Sequence, residues 1–190
     1  MSEANTTLAL SIAAIARVSL QILGRGDRAL KTICDIITIA DCHNFLTMAH
    51  QILFLCTGNY YRSRFSEYLF NALAEEKELD WRADSRGLAL ERGVFNIGAI
   101  SFIAALNLKQ RGIILPENLR FPQSLQEEDL KQSDRIIAVD ESEHRPLMAE
   151  RFPAWENKIE YWSVHDIDQT PPNSALDSLE QQIYRLIETI

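Results

Sequence analysis

Cysteine, glycine and basic residues are scarce in this 190-residue chain, and each shortage excludes a class of protein. Three cysteines without regular spacing give neither a disulfide framework nor a zinc-binding pattern, so we expect a reducing compartment and no metal site. Seven glycines without a repeat exclude collagen-like sequences. The hydrophobic fraction of 46% is that of a globular chain, and the length favours one domain, or one domain with an appendage.

The deficit of basic residues also limits the partners of the protein. Lys and Arg together number 19 against 27 acidic residues, and a net charge of −8 argues against nucleic acid or an anionic membrane as partner. The longest uncharged N-terminal stretch, from Ala4 to Ala16, is shorter than the roughly 20 residues of a membrane-spanning helix. Glu3 stands where a secretory signal carries a basic residue. We therefore expect a soluble, cytoplasmic protein.

The N-terminal quarter differs in composition from the rest of the chain. Two helical patterns run from Thr6 to Gly24 and from about Asp27 to Phe45. Residues 1–47 hold four basic and four acidic side chains, so the whole net charge lies beyond Thr47. We predict a helical extension over 1–47 and a domain over 48–190. Two interpretations of the extension remain open: a helical pair on the domain, or a translation artefact upstream of a start at Met48.

Short apolar runs alternate with helical patterns after Met48. Strands are predicted at 52–55, 135–139 and 159–164, and helices at 97–111 and 141–151. A capping box of Ser124 and Glu127 predicts a further helix, and Ser174 is the expected cap of the last one. The alternation predicts an α/β fold of three layers, with a parallel central sheet of about four strands and helices on both faces. Ligands of such sheets bind outside the carboxyl ends of the strands.

A cysteine, five residues and an arginine follow the first predicted strand at this edge. Gly58 and Asn59 tolerate a positive φ, which turns backbone N–H groups toward an anion at a helix N-terminus. The positive electrostatic field of these N–H groups also favours the thiolate form of Cys56, and the Ser63 hydroxyl can donate a hydrogen bond to that thiolate. The planar Arg62 guanidinium can bind two phosphate oxygens. The loop thus combines a nucleophile with a phosphate cradle. It reads Cys56, Thr57, Gly58, Asn59, Tyr60, Tyr61, Arg62, Ser63.

This loop resembles the C-x-G-N-x-C-R-S signature of the low-molecular-weight protein tyrosine phosphatase family. The similarity continues at Glu67, in the strand-like segment 83–87 and in the segment 136–142, and it extends over about 48–190. The resemblance implies a cysteine-dependent phosphatase that hydrolyses phosphomonoesters through a phosphocysteine, without metal or cofactor. It implies Cys56 as nucleophile and residues 57–63 as the phosphate-binding loop. The implied partner is a phosphorylated protein or a small aryl phosphate; the oligomeric state stays open.

The chain departs from the family pattern at three places in and after the loop. Tyr61 replaces the second loop cysteine, which removes the partner that in many relatives forms a disulfide with the nucleophile. The family's aromatic pair after the general acid is also missing, so Tyr60 and Tyr61 are candidates for the aromatic wall of the pocket. Arg64 replaces a proline of the family pattern. Two interpretations of Arg64 remain open: it adds positive charge at the rim of the loop, or it is a solvated side chain.

The family's late Asp-Pro motif, which supplies the general acid, is also absent. Its place is taken by the segment 164–168, in which we prefer Asp166 to Asp168 as the acid and treat His165 as a weaker candidate. Asp140, at a predicted strand end, is expected to cap a helix or tie loops together.

Two other functions remain open. A catalytically weak phosphate-binding regulatory module fits the uncertain acid. A thiol-dependent arsenate reductase shares this loop, but such enzymes need further cysteines near the site, and no cysteine follows Cys56.

Overall fold

The computed structural model describes residues 50–166 and 171–190. The predicted N-terminal helices and Asp168 lie outside these residues, so the boundary near Met48 stays a prediction.

Four parallel strands form a single sheet in the described part of the chain. They are β1 (His50–Cys56), β2 (Trp81–Gly87), β3 (Arg135–Ala138) and β4 (Glu160–Tyr161), in the spatial order β2-β1-β3-β4. The central strand β1 is buried on both faces from Ile52 onward, which explains its unbroken apolar run. The predicted parallel sheet of about four strands is confirmed.

Helices cover both faces of the sheet. Alternate residues of β1 point to opposite faces, so Ile52 and Phe54 belong to one apolar cluster while Leu53 and Leu55 belong to the other. The first cluster includes residues of α1 (Arg62–Glu76), α2 (Phe102–Gln110) and α5 (Pro172–Ile187). The second includes residues of α3 (Glu127–Gln132) and α4 (Glu141–Arg151). The three-layer α/β architecture is therefore confirmed.

Several element boundaries differ from the sequence prediction. The helix predicted from Ile97 begins only at Phe102, because Gly98 has a φ of 88°, outside the helical range. Ser124 does not form a capping box, because it bridges to Gly87 at the sheet edge; the box is formed instead by Gln126 and Asp129.

The last helix begins before the predicted cap, Ser174. Pro172 occupies its first turn, where the fixed φ of proline suits a helix start and its missing N–H is not needed. The last strand is shorter than predicted, since Ser163 leaves the parallel ladder to form an antiparallel bridge with Asp140. Within the described ranges, none of the helices has the length and hydropathy needed to span a membrane.

Truncating Phe54 tests how much the first apolar cluster contributes to stability. Its ring is fully buried, 6.2 Å from the Phe70 ring and 5.7 Å from the Trp162 ring by centroid distance. We expect Phe54→Ala to lower the free energy of unfolding by about 3–5 kcal/mol, from lost transfer energy and the cavity left behind. Urea unfolding followed by circular dichroism measures this. The matched control is Phe121→Ala, at a ring that is 69% exposed, with a loss below about 1 kcal/mol; equal losses would contradict the assignment of the core.

Candidate active site

The loop between β1 and α1 lies at the carboxyl edge of the sheet. Backbone bonds fix it: the amides of Leu88 and Ala89 donate to the carbonyls of Cys56 (2.9 Å) and Thr57 (2.8 Å). A third bond of 2.9 Å, from the Ser101 amide to the Tyr60 carbonyl, ties the loop to the start of α2. The loop ends at the N-terminus of α1, where the first backbone N–H groups of a helix lack helical partners and attract anions.

Asn59 turns the loop inward. Its φ is 47°, as the sequence predicts, and its side chain is completely buried. The amide nitrogen donates to Ser63 Oγ (3.2 Å) and Ser85 Oγ (2.8 Å), while its oxygen accepts from Arg120 (3.0 Å) and from the Gln123 amide (2.9 Å). These bonds stabilise the left-handed conformation.

Glycine is needed beside the loop for space. Gly58 does not have the predicted positive φ; a Cβ atom there would lie 3.2 Å from the side-chain nitrogen of Asn96. At the end of β2, a Cβ on Gly87 would lie 3.0 Å from the Thr57 carbonyl oxygen and 3.1 Å from the Asn59 nitrogen. The neighbouring strand therefore approaches the loop as closely as its backbone allows.

Cys56 and Ser63 meet across the loop. The Cys56 sulfur lies 2.9 Å from Ser63 Oγ, and both residues are buried. This is the contact that the sequence predicts, in which the hydroxyl donates to a thiolate.

Arg62 is the most constrained side chain of the site, only 1% exposed. One terminal nitrogen donates to the Val164 carbonyl (3.0 Å), and the other donates to Glu143 Oε2 (2.5 Å) and Asp166 Oδ2 (2.7 Å). Asp140 Oδ2 lies 3.6 Å away. Three carboxylates and a carbonyl therefore hold the guanidinium in place.

Glu143 was not predicted as part of the site. Besides holding Arg62, it accepts a hydrogen bond from the Thr57 hydroxyl. Burial by itself would raise the pKa of Glu143, but His144, Arg62 and Thr57 hold it well below its usual range. Glu143 lies in the first turn of the helix that follows β3. The carboxyl ends of parallel strands meet at one edge of the sheet, so this position in the sequence could have placed Glu143 near the loop after β1.

Asp140 caps α4, as expected. Its carboxylate accepts from the amides of Ser142 (3.0 Å) and Glu143 (3.4 Å) and lies 3.0 Å from His165 Nδ1. Burial alone would raise the pKa of Asp140, whereas the bonds from Ser142 and His165 and the charge of Arg62 lower it. His165 thus contacts a structural carboxylate.

One pocket of about 180 Å³ contains the predicted catalytic side chains. Asp166 is brought there with Cys56 and Arg62, whereas Asp168 lies outside the described residues, so the choice between the two acids stays a prediction. The complete lining is Cys56, Gly58, Tyr60, Tyr61, Arg62, Asn96, Ser101, Ile103 and Asp166.

Both loop tyrosines line this pocket. The Tyr60 hydroxyl donates to the Ile97 carbonyl (2.7 Å), and the Tyr61 hydroxyl donates to the Pro172 carbonyl (2.8 Å). Burial, together with the charge of Asp166, raises the pKa of Tyr61 to about 12, so its hydroxyl stays a donor at neutral pH.

Arg64 is neither at the loop rim nor solvated, contrary to both interpretations of the sequence. It is completely buried, because Glu67 one turn later accepts from it at 3.0 Å. Glu67 also accepts from Arg120 (2.8 Å) and Ser85 (2.5 Å), which in turn contact Asn59. Burial raises the pKa of Glu67 despite both arginines. Arg120 lies in an irregular segment, and no sequence pattern indicated it.

No group of three or more His, Cys, Asp or Glu side chains within 50–166 and 171–190 is arranged to hold a metal ion.

Known proteins match the part of the chain that builds this pocket. The family model described as low molecular weight phosphotyrosine protein phosphatase matches residues 51–187. A protein-arginine-phosphatase from Geobacillus stearothermophilus is 30% identical over 156 residues, which are 75% of this chain and 97% of that protein. The crystal structure of a low molecular weight protein tyrosine phosphatase from T. tengcongensis has a TM-score of 0.61 and 28% identity, covering 74% of this chain and 99% of that one. The structure of YwlE arginine phosphatase from Geobacillus stearothermophilus has a TM-score of 0.56 and 27% identity, covering 74% and 92%.

Neutralising Glu143 tests how its charge affects anion binding. We expect Glu143→Gln to bind inorganic phosphate on the order of tenfold more tightly at pH 7, because a negative charge beside Arg62 is lost, while the amide oxygen still accepts from Arg62 and the amide nitrogen donates to the Thr57 hydroxyl oxygen. Isothermal titration calorimetry measures this. Glu141→Gln, at an exposed residue of the same helix that pairs with Arg145, is the matched control and should leave the affinity unchanged. Weaker binding by Glu143→Gln would show that its charge is needed to orient Arg62.

Proposed function

Since the chain belongs to the low molecular weight phosphotyrosine protein phosphatase family, it is a phosphatase, and we propose that it hydrolyses phosphotyrosine in proteins through a phosphocysteine at Cys56. The observation that carries this proposal is the meeting of Cys56, Arg62 and Asp166 in one small pocket at the carboxyl edge of the sheet.

In the first step, the Cys56 thiolate attacks phosphorus in line with the leaving oxygen. The Ser63 hydroxyl at 2.9 Å stabilises the thiolate, while Arg62 and the loop amides from Thr57 to Ser63 bind the equatorial oxygens. The sulfur–phosphorus bond forms as the phosphorus–oxygen bond breaks. Asp166 gives its proton to the departing oxygen, so the alcohol leaves neutral.

The pairing of Asp166 with Arg62 supports this role. Their 2.7 Å bond uses the same guanidinium nitrogen that a phosphate would claim, so substrate competes with Asp166 for Arg62. The Asp166 carboxyl then lies next to the leaving oxygen that takes its proton. In the second step, the Asp166 carboxylate takes a proton from water, which attacks phosphorus and releases the Cys56 thiolate with inorganic phosphate.

The pocket walls favour an aromatic leaving group. Tyr60, Tyr61 and Ile103 line it and offer apolar surface to a phenyl ring.

A phosphorylated arginine is the second candidate substrate, because the relative that is 30% identical is a protein-arginine-phosphatase. Glu143 and Asp166, which pair with the Arg62 guanidinium, are the acceptor type that a substrate guanidinium would need.

Thiol chemistry also bears on where the protein acts and on the rival functions. The Cys56 sulfur must stay reduced, so we propose the cytoplasm as the compartment of the protein.

Arsenate reduction would need a second thiol, and Tyr61 occupies the loop position where the family has one. A regulatory module that only binds phosphate would need no acid, so hydrolysis itself separates it from the enzyme.

Rates on three substrate types test the proposal. We expect the wild type to hydrolyse p-nitrophenyl phosphate and phosphotyrosyl peptides, with kcat/KM for the latter on the order of tenfold above that for matched phosphoarginyl peptides. Cys56→Ser should reduce every rate at least about a thousandfold, since the nucleophile is lost. Cys42→Ser, at a cysteine of the N-terminal extension that lies outside the described residues, is the matched control, and we expect unchanged rates. Equal rates for wild type and Cys56→Ser would refute the proposal that the protein is a cysteine-dependent phosphatase. A higher kcat/KM for the phosphoarginyl peptides would refute phosphotyrosine as the substrate.

Leaving-group dependence identifies the general acid. We expect Asp166→Ala to lower kcat/KM by about 10²–10³-fold on phenyl phosphate but much less on p-nitrophenyl phosphate, whose leaving oxygen needs little protonation; kcat/KM is compared because it reports the leaving-group step and not the shared hydrolysis of the phosphocysteine. Asp168→Ala is the matched control and should keep kcat/KM within about threefold on both esters. If Asp168→Ala shows the selective loss instead, the acid is Asp168.

A further inference from the structure

Exposed apolar side chains concentrate in one segment. Six of the eight large hydrophobic residues exposed in the described part of the chain fall between positions 94 and 114. Scattered exposed apolar residues are normal, but a cluster marks a binding surface. The six are Val94, Phe95, Ile97, Phe102, Leu106 and Ile114.

The second half of this segment forms a groove of about 470 Å³ along α2. Phe102, which is 76% exposed, and Leu106 lie one turn apart on the helix, and Ile114, at 93%, faces them from the loop that follows. Lys109 is the single charged residue among the groove's lining residues, so its surface is apolar and carries no negative charge.

The groove begins next to the catalytic pocket. Ser101 and Ile103 line the pocket, and Phe102, between them in sequence, lines the groove. The Ser101 amide donates to the Tyr60 carbonyl of the loop after β1, which fixes the start of α2 beside the pocket. The two cavities therefore lie side by side at the start of α2.

We propose that this groove, which we call the α2 groove, binds apolar side chains next to the phosphorylated residue of the protein substrate. The inference rests on the proposed function. The occupant is an extended substrate segment because the groove begins beside the pocket that takes the phosphorylated residue and because its lining is apolar without an acidic side chain. Helix α2 has nine residues and is about 13 Å long, which equals about four residues of extended chain. The apolar residues thus lie within about four positions of the phosphorylated one.

Peptides of matched length test this proposal on the full chain. Phosphotyrosyl peptides with Leu and Phe within four positions, on either side of the phosphotyrosine, are compared with peptides carrying Ser and Gly there. We expect kcat/KM to be about 5–20-fold higher for the apolar set, mainly through KM, because apolar surface leaves water on binding. Phe102→Gln with Ile114→Gln should remove this preference and leave the rate on p-nitrophenyl phosphate within about twofold.

Phe121→Gln provides the matched control, since Phe121 is 69% exposed and does not line the groove. It should keep the preference for apolar flanks. A wild type that cleaves p-nitrophenyl phosphate but does not distinguish the peptide sets overturns the groove proposal alone, whereas no cleavage of any ester overturns the proposed function. Sedimentation adds a second readout: a dimer that dissociates in the double variant would overturn the proposal in favour of a second copy as the occupant.

Discussion

The buried guanidinium of Arg62 determines how the elements around the site are arranged. A cation that is 1% exposed loses most of its hydration, and this cost has to be offset by nearby anions and acceptors. The acceptors come from the helix after β3 and from the segment after β4: Glu143, Val164 and Asp166. The loop after β1, the start of α4 and the segment 164–166 are therefore held together by one charge. Replacing one of these acceptors affects all three segments.

The same arrangement limits how strongly the site attracts an anion. Asp140, Glu143 and Asp166 place three carboxylates around one guanidinium, in a chain whose net charge is already −8. A phosphate gains affinity only by displacing a carboxylate from Arg62 or by using backbone N–H groups at the start of α1. We expect such a site to hold product weakly, which would favour turnover over tight binding. This balance fits an enzyme better than a phosphate-binding module.

Local patterns account for what the sequence could predict. The turn at Asn59 and the Cys56–Ser63 contact lie within eight consecutive residues directly after the strand, where spacing alone defines the geometry. The capping role of Asp140 is equally local. The contact of Arg120 with Asn59 could not be predicted, because the two residues are 61 positions apart and Arg120 lies in a segment without helical or strand periodicity. The burial of Arg64 depends on a pair with Glu67 only three residues away, but sequence alone does not show that both side chains face the interior.

Two arginine–carboxylate pairs flank the phosphate-binding loop, and their exposure separates their roles. In the pair of Arg64 and Glu67 the arginine is fully buried, whereas the carboxylate is 10% exposed and lines a separate pocket of about 480 Å³. Burial raises the pKa of Glu67 even so, which means that the ion pair only partly offsets its desolvation and contributes position rather than much stability. Asp166, by contrast, is 37% exposed at the pocket mouth, so water and substrate can replace it on Arg62. The buried pair keeps Asn59 in its turn through Ser85, while the more exposed pair supplies the residues that we propose to change partners during the reaction.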